Sequence, residues 1–236
     1  MQRTLVARLR RIVLPGQAHL IIHRGQSGQP VFVAAVDRDL YLAGLRESAF
    51  DANVVIHAYA LLDNEVRLLV TPSTETGLAD LMQAVGRRYV GAFNKRHGRS
   101  GTPWDGRFRS TVVEPGLCVR ECLRLVEAAF ERHAARNEPE WSSLRHHLGQ
   151  CSDPLVTEHA DYWALGNTPF ERQAAYRRFV EQATSASDVA TILRAAINGW
   201  VLGSPTFASL VHEATGRRPH PLSRGRPRTR IPKASI

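Results

Sequence analysis

Two apolar segments separated by only two residues constrain the fold more than any other part of the chain. Residues 54–62 (VVIHAYALL) and 65–71 (EVRLLVT) both have the composition of β-strands, and Asp63-Asn64 lies between them. A connection this short, made of turn-forming residues, joins antiparallel neighbours. The sequence therefore predicts a β-hairpin, and with it an antiparallel sheet.

Hydrophobic periodicity elsewhere predicts an α+β chain. Strands are expected at 17–25, shortly after Pro30 and at 109–113, and helices at 37–50, 77–96 and 118–136. Further helical stretches are expected at 154–165, 169–184, 187–198 and beyond Gly199. We therefore predict a domain at 1–150, a small helical region at 151–216 and a basic tail at 217–236 that is disordered when unbound.

The net charge of +9 is concentrated in two segments. Residues 87–109 contain seven Lys or Arg against one acid, Asp105, and residues 217–236 contain seven and no acid. The remaining residues are net negative, so the basicity is local. A localised cationic footprint predicts an anionic partner, and nucleic acid is the leading candidate.

Composition argues against a membrane protein and against a disulfide framework. No apolar run approaches the length of a membrane span, and residues 1–14 lack a separate apolar core and a cleavage site. The three cysteines, Cys118, Cys122 and Cys151, have no metal-ligand spacing, and their number is odd. We expect a cytoplasmic, nucleoid-associated protein with no membrane partner, either a monomer or a homodimer.

Several stretches, taken in order, resemble one family. They are RIVLPGQAHLIIHRG, VIHAYALLDNEVRLLVTPS, LMQAVGRRYVGAFNKRHGRSGTPWDGRFRS, ECLRLVEAAFERHAA, EWSSLRHHLG and the later NGWVLGSPTF. The combination resembles the IS200-like single-strand transposases, and specifically their REP-associated tyrosine transposase branch. The resemblance implies an HUH or ferredoxin-like α+β domain, an antiparallel sheet with packed helices, that binds single-stranded DNA near a hairpin and acts in DNA transposition.

The resemblance also implies where catalysis would take place. In that family a strand carries histidine, an apolar residue and histidine, which hold Mg²⁺ or Mn²⁺, and a tyrosine on a later helix attacks the DNA backbone. The two histidines fall on Glu65 and Arg67, the tyrosine on Leu125, and the polar residue that completes the metal site on Ala129. A guanidinium repels a divalent cation and leucine has no nucleophilic atom. We therefore expect no catalytic residue, no metal and no cofactor.

Glu65 and Arg67 are two positions apart and should face the same side of their strand. Their Cα atoms are then roughly 7 Å apart, so the side chains can neutralise each other, or Arg67 can reach a phosphate. Two interpretations stay open: Arg67 holds DNA in place of the metal, or the pair reflects drift after selection on cleavage was lost.

The basic segment 87–109 also contains aromatic residues, a mixture suited to DNA because cations neutralise phosphates and rings stack on unpaired bases. Tyr89, Phe93 and Phe108 are equally well explained as core residues, whereas Trp104, in a glycine-rich loop, is the better stacking candidate. The predicted DNA contacts of the folded part are Arg67, Arg87, Arg88, Lys95, Arg96, Arg99, Trp104, Arg107 and Arg109.

The tail contains SRGRPRTR at residues 223–230, which resembles an AT-hook. Such a Gly-Arg-Pro core lies along a narrow A·T minor groove, whose negative potential attracts arginine. The predicted contacts are Arg224, Arg226 and Arg228. A plain solvated basic tail is the alternative.

Two functions from different classes follow. The first is a DNA-binding protein, descended from transposases, that recognises hairpin or single-stranded DNA without cutting it. The second is an active transposase or single-strand endonuclease with a non-standard nucleophile. A decayed reading frame, whose product folds but serves no purpose, is a third possibility.

Overall fold

The computed structural model describes residues 10–131, 141–182 and 184–221. Four strands form one antiparallel sheet in the order β2-β3-β1-β4. They are β1 (His19–Arg24), β2 (Val54–Leu62), β3 (Glu65–Pro72) and β4 (Arg109–Val112). The predicted α+β class, an antiparallel sheet with packed helices, is confirmed.

Eight α-helices accompany the sheet in the part of the chain that the structure describes. They are α1 (Ala35–Asp51), α2 (Gly77–His97), α3 (Leu117–Glu131), α4 (Leu144–His147), α5 (Ala160–Trp163), α6 (Pro169–Glu181), α7 (Ala186–Asn198) and α8 (Pro205–Thr215). The strand expected after Pro30 is wrong. Val31 and Phe32 instead donate their amides to the carbonyl oxygen of Asp63, at 2.7 and 3.1 Å, and so lie against the β2–β3 turn.

The predicted hairpin is confirmed, since β2 and β3 pair antiparallel with Leu62 opposite Glu65. Because side chains alternate along a strand, Val66, Leu68 and Val70 point to one face of the sheet. They belong to the hydrophobic core that contains α1 and α2. Leu69 packs on the opposite face with α3, as do Leu125 and other α3 residues. Glu65 and Arg67 share that second face.

The C-terminal helices pack against the same sheet. Tyr176 of α6 and Ile192 of α7 share one hydrophobic cluster with Leu20 of β1 and with α3. Residues 141–157 lie along the outer edge of β2, where the Leu61 amide donates to the Trp141 carbonyl oxygen at 2.9 Å. Covering a strand edge in this way removes a site for unwanted pairing.

Among the described residues, no helix is both long enough and apolar enough to cross a membrane.

Candidate DNA-binding site

A buried carboxylate between two arginines stands at the centre of the candidate site. Glu65 is 7% exposed. Its Oε2 accepts a hydrogen bond from Arg24 Nε and its Oε1 accepts one from Arg67 Nε, both at 2.5 Å. Arg67 Nη1 also donates to the backbone carbonyl oxygen of Leu125 at 2.9 Å. Of the two possibilities left open by the sequence, the pairing of Glu65 with Arg67 is the one present.

The sheet register and the packing of α3 produce this arrangement. Arg24, the last residue of β1, lies directly opposite Glu65, the first residue of β3. Helix α3 covers this face of the sheet and brings Leu125 over Arg67. The structure thus places three of the four family positions together, and Ala129 lies one turn further along α3.

The metal implied by the resemblance does not fit these side chains. Both carboxylate oxygens of Glu65 already accept from guanidinium groups, and Arg67 adds a positive charge beside them. Divalent cations such as Mg²⁺ prefer several oxygen ligands with no cation alongside. No group of three or more His, Cys, Asp or Glu suited to a metal occurs among the residues that the structure describes.

None of the five tyrosines of the chain is available as an alternative nucleophile in this conformation. All five are at most 6% exposed. They are Tyr41, Tyr59, Tyr89, Tyr162 and Tyr176. Burial raises the pKa of each, to about 12 for Tyr162, so the phenolate needed for attack is disfavoured.

The α2 cations that were predicted to contact DNA lie across the sheet from Glu65, because α2 packs on the other face. Two of them are already paired, Arg88 with Glu47 and Arg96 with Asp37, the latter at 3.6 Å. Arg87 and Lys95 are exposed and form no ion pair within the described part of the chain. The basic segment 87–109 is therefore not one continuous surface, and the role of these α2 residues in DNA binding stays a prediction.

Of the predicted contacts in residues 87–109, Arg109 is on the same face of the sheet as Glu65. It lies on β4 opposite Ile22, and Ile22 lies opposite Arg67, so Arg67 and Arg109 are two strands apart, about 10 Å. Arg109 is exposed, as are Arg99 and Arg107 in the preceding loop. The guanidinium of Arg99 lies 5.6 Å from the ring centroid of Phe93.

Trp104 lies in the core rather than in an open loop. It is 4% exposed, and its ring stacks on His23 with the centroids 4.1 Å apart. This burial leaves it no solvent-facing ring for a base in the conformation observed. Tyr89, Phe93 and Phe108 belong to the same core, as their alternative interpretation predicted.

Two groups of residues near the site were missed from the sequence. Arg24 was missed because only the strand register places it beside Glu65. The local sequence pattern predicts only the β2–β3 hairpin and contains no signal for the pairing of β1 with β3. The second group surrounds Glu127 of α3, a fully buried carboxylate two residues after Leu125.

Glu127 holds several elements together. Its Oε1 accepts from His147 Nδ1 at 2.7 Å and from the Ser143 hydroxyl, and its Oε2 accepts from the Tyr176 hydroxyl at 2.5 Å. Burial alone would lower the pKa of His147, but the charge of Glu127 and its hydrogen bond raise it above the usual 6.5. Glu127 therefore links α3 to α4 through a charged pair with His147, and links α3 to α6 through the hydroxyl of Tyr176.

The tail contacts Arg224, Arg226 and Arg228 lie outside the described residues. The first residues of the predicted tail are described, and they pack on the protein: the Val201 amide donates to the Pro219 carbonyl oxygen at 3.1 Å.

Solved structures with a similar fold exist. A REP-associated tyrosine transposase bound to a REP hairpin matches with a TM-score of 0.51 and 12% identity, over 66% of this chain and 93% of that chain. A proposed transposase of Deinococcus radiodurans R1 matches with a TM-score of 0.37 and 20% identity, over 57% of this chain and 98% of that chain. No protein-family model and no curated protein matches. The chain therefore shares the fold of a REP-associated tyrosine transposase.

Proposed function

We propose that this protein binds hairpin or single-stranded DNA on the α3 face of its sheet and does not cleave it. The observation that carries the proposal is the buried Arg24–Glu65–Arg67 cluster bonded to Leu125. It occupies the place where the family resemblance puts the metal and the nucleophile. The fold, shared with a transposase that was bound to a REP hairpin, supports DNA as the partner.

The chemistry of the cluster favours binding over cleavage. Cleavage by a tyrosine needs an accessible phenol and an electrophilic metal at the scissile phosphate. Arg24 is about half exposed and Arg109 is exposed, and cations of this kind attract phosphate without breaking it. Because the Arg67 side chain is only 12% exposed, we assign it the role of positioning Glu65 and α3, and not of contacting DNA directly.

Binding is tested with fluorescently labelled hairpins that carry single-stranded flanks, by anisotropy at several salt concentrations. Arg109→Ala removes an exposed cation on the binding face and is expected to weaken binding about tenfold, the value of one charge-assisted hydrogen bond. Arg46→Ala is the matched control, because Arg46 is exposed on α1, across the sheet. It should change the affinity by less than about twofold.

Cleavage is tested on the same hairpins with Mg²⁺ or Mn²⁺, using denaturing gels. We expect intact DNA and no covalent protein–DNA adduct. An adduct, or scission that disappears when Glu65 is replaced, would establish the rival function of an active transposase or single-strand endonuclease. Failure of the wild-type protein to bind any hairpin would contradict the proposal itself.

A further inference from the structure

The chain after α7 extends the sheet beyond β4. The Leu202 amide donates to the Val112 carbonyl oxygen at 3.0 Å, and the Glu114 amide donates to the Leu202 carbonyl oxygen at 2.8 Å. Residues 200–202 therefore lie beside β4. The hydrogen bond from Val201 to Pro219 then places residues 217–219 beside 200–202, one step further from the centre of the sheet.

Arg217 lies over the junction between this extension and α7. Its guanidinium carbon is 5.7 Å from the ring centroid of Trp200. Gly199, where φ is +67°, caps the C-terminus of helix α7. A Cβ at Gly199 would stand 3.6 Å from Arg217 Nη2 and 3.7 Å from the Ser110 carbonyl oxygen. The guanidinium and Ser110, the residue that follows Arg109 on β4, therefore both lie next to Gly199.

Arg217 carries a charge that the described protein does not neutralise. Its Nε is buried without a hydrogen-bond partner, and no carboxylate lies within ion-pair distance of it among the described residues. Arg24, Arg67 and Arg124, by contrast, are each paired with a glutamate. Partial burial of an unpaired cation costs free energy, and a bound anion would offset that cost.

We propose that Arg109, Arg217 and Arg218 form an edge track, a line of cations that binds the phosphates of single-stranded DNA where it leaves the Glu65 site. This inference rests on the proposed function and names the part of the DNA that the extension would contact. Arg218 is exposed beside Arg217. No carboxylate is paired with any of the three within the described residues.

The spacing of the sheet sets the length of DNA that the edge track needs. From β3, which carries Arg67, four steps of about 4.8 Å lead through β1, β4 and residues 200–202 to residues 217–219, a span of about 19 Å. At about 3.4 Å per stacked nucleotide, this span corresponds to roughly six nucleotides. A shorter flank should not reach Arg217.

The test compares hairpins without a flank and with single-stranded flanks of about three, six and twelve nucleotides. The double variant Arg217→Ala/Arg218→Ala is compared with Arg177→Ala/Arg178→Ala, which removes two adjacent exposed arginines from α6. For the wild-type protein we expect affinity to rise about tenfold once the flank reaches about six nucleotides. The first variant should lose this gain, and the second should keep it.

Two further measurements separate binding from folding. The slope of log affinity against log salt for the long-flank hairpin should fall by about 1.4 in the Arg217/Arg218 variant, about 0.7 for each single-strand phosphate contact. Arg218→Ala alone changes an exposed residue, and should lose part of the flank-dependent gain with an unchanged melting temperature. A reduced melting temperature with unchanged DNA affinity would mean that Arg217 only supports the end of α7, and would overturn the inference.

Other outcomes would overturn the edge track alone, or the edge track together with the proposed function. Wild-type affinity that does not depend on flank length, or equal losses in the two double variants, would overturn the edge track and leave the proposed function standing. Absence of binding to every hairpin by the wild-type protein would overturn both.

Discussion

Arg67 of β3 and Leu125 of α3 are joined by a hydrogen bond of 2.9 Å from the guanidinium Nη1 to the helix carbonyl oxygen. With Nε bonded to Glu65, the guanidinium holds a sheet carboxylate and a helix backbone at the same time. The Arg67 side chain thus sets the distance between β3 and α3 at this point.

The first prediction concerns Glu65. Replacing it by alanine leaves the guanidinium groups of Arg24 and Arg67 without their shared carboxylate. Removal of one partner from a buried ion pair is strongly destabilising, and since Arg24 is about half exposed we expect a loss of about 2–3 kcal/mol in the free energy of unfolding. Urea denaturation measures it.

Glu47→Ala is the control for this prediction. Glu47 pairs with Arg88 on the surface, with both side chains well exposed. Exposed pairs contribute at most about 1 kcal/mol, so the control should cost less than that. Equal losses in the two variants would mean that the Glu65 cluster does not hold the fold together.

The second prediction concerns the hydroxyl of Tyr176, which donates to Glu127 in the core. Tyr176→Phe leaves one oxygen of a buried carboxylate unsatisfied, at a cost of about 1–3 kcal/mol. Tyr41→Phe is a close control, because the Tyr41 hydroxyl is also buried but has no hydrogen-bond partner. That change should be neutral or stabilising in thermal and urea unfolding, and a larger loss in Tyr41→Phe would contradict the account.

The fold was predictable where its signals are local. The β2–β3 hairpin follows from two apolar runs and a two-residue connection, and α2 follows from its apolar face and ends at Gly98, where φ is +60°. Strand alternation places Glu65 and Arg67 on one face, and the structure shows that the two side chains pair. The strand expected after Pro30 is the exception, since Val31 and Phe32 bond to the β2–β3 turn instead.

Non-local relationships were not predictable in the same way. Trp104 has the loop surroundings of an exposed residue, yet the loop folds back and its ring stacks on His23, more than eighty residues earlier. The cations of residues 87–109 form one stretch in sequence, but the sheet separates those of α2 from Arg109. The burial of Trp104 and the separation of the cations depend on strand order and on which face of the sheet each helix covers. Short-range hydrophobic periodicity predicts neither of these.

The third prediction is a pH dependence. Burial lowers the pKa of His19, His23 and His57 to about 4, against 6.5 when unfolded. The unfolded chain therefore binds protons that the folded chain does not, and stability should fall as the pH drops from about 6.5 toward 4. His147 has a raised pKa and acts in the opposite direction, since its contribution is lost as the pH rises through its folded value.

His57→Gln tests this sign. In the folded protein, His57 Nδ1 lies 2.7 Å from the Thr157 carbonyl oxygen and Nε2 lies 2.8 Å from the Thr71 hydroxyl. Removing the His57 imidazole should reduce the loss of stability between pH 7 and pH 5 by up to about 2 kcal/mol. His220→Gln, at an exposed position, should leave the loss unchanged. A steeper acid loss in His57→Gln would reverse the assignment.

The fourth prediction concerns truncations of the basic C-terminal segment. A chain ending at Pro221 keeps the hydrogen bond between Val201 and Pro219, and should unfold at the wild-type temperature. It lacks five cations, so the slope of log affinity against log salt should flatten by up to about 4.5 if all five contact duplex phosphates. A chain ending at Gly216 should lose stability as well. An unchanged slope in the chain ending at Pro221 would remove residues 222–236 from the DNA-binding surface.

The fifth prediction is that tyrosine at position 125 alone does not bring back cleavage. Leu125 is 2% exposed among α3 core residues, so Leu125→Tyr overpacks the site and should cost about 1–3 kcal/mol of stability. The Arg24–Glu65–Arg67 cluster would still exclude a divalent cation, and gels with Mn²⁺ should show no covalent adduct. The fourfold change Glu65→His/Arg67→His/Leu125→Tyr/Ala129→Asn also removes the cluster, supplies the missing metal ligands, and is the variant in which we expect an adduct. An adduct from Leu125→Tyr alone would mean that the arginine–glutamate cluster does not block the chemistry, and that the missing phenol was its only obstacle.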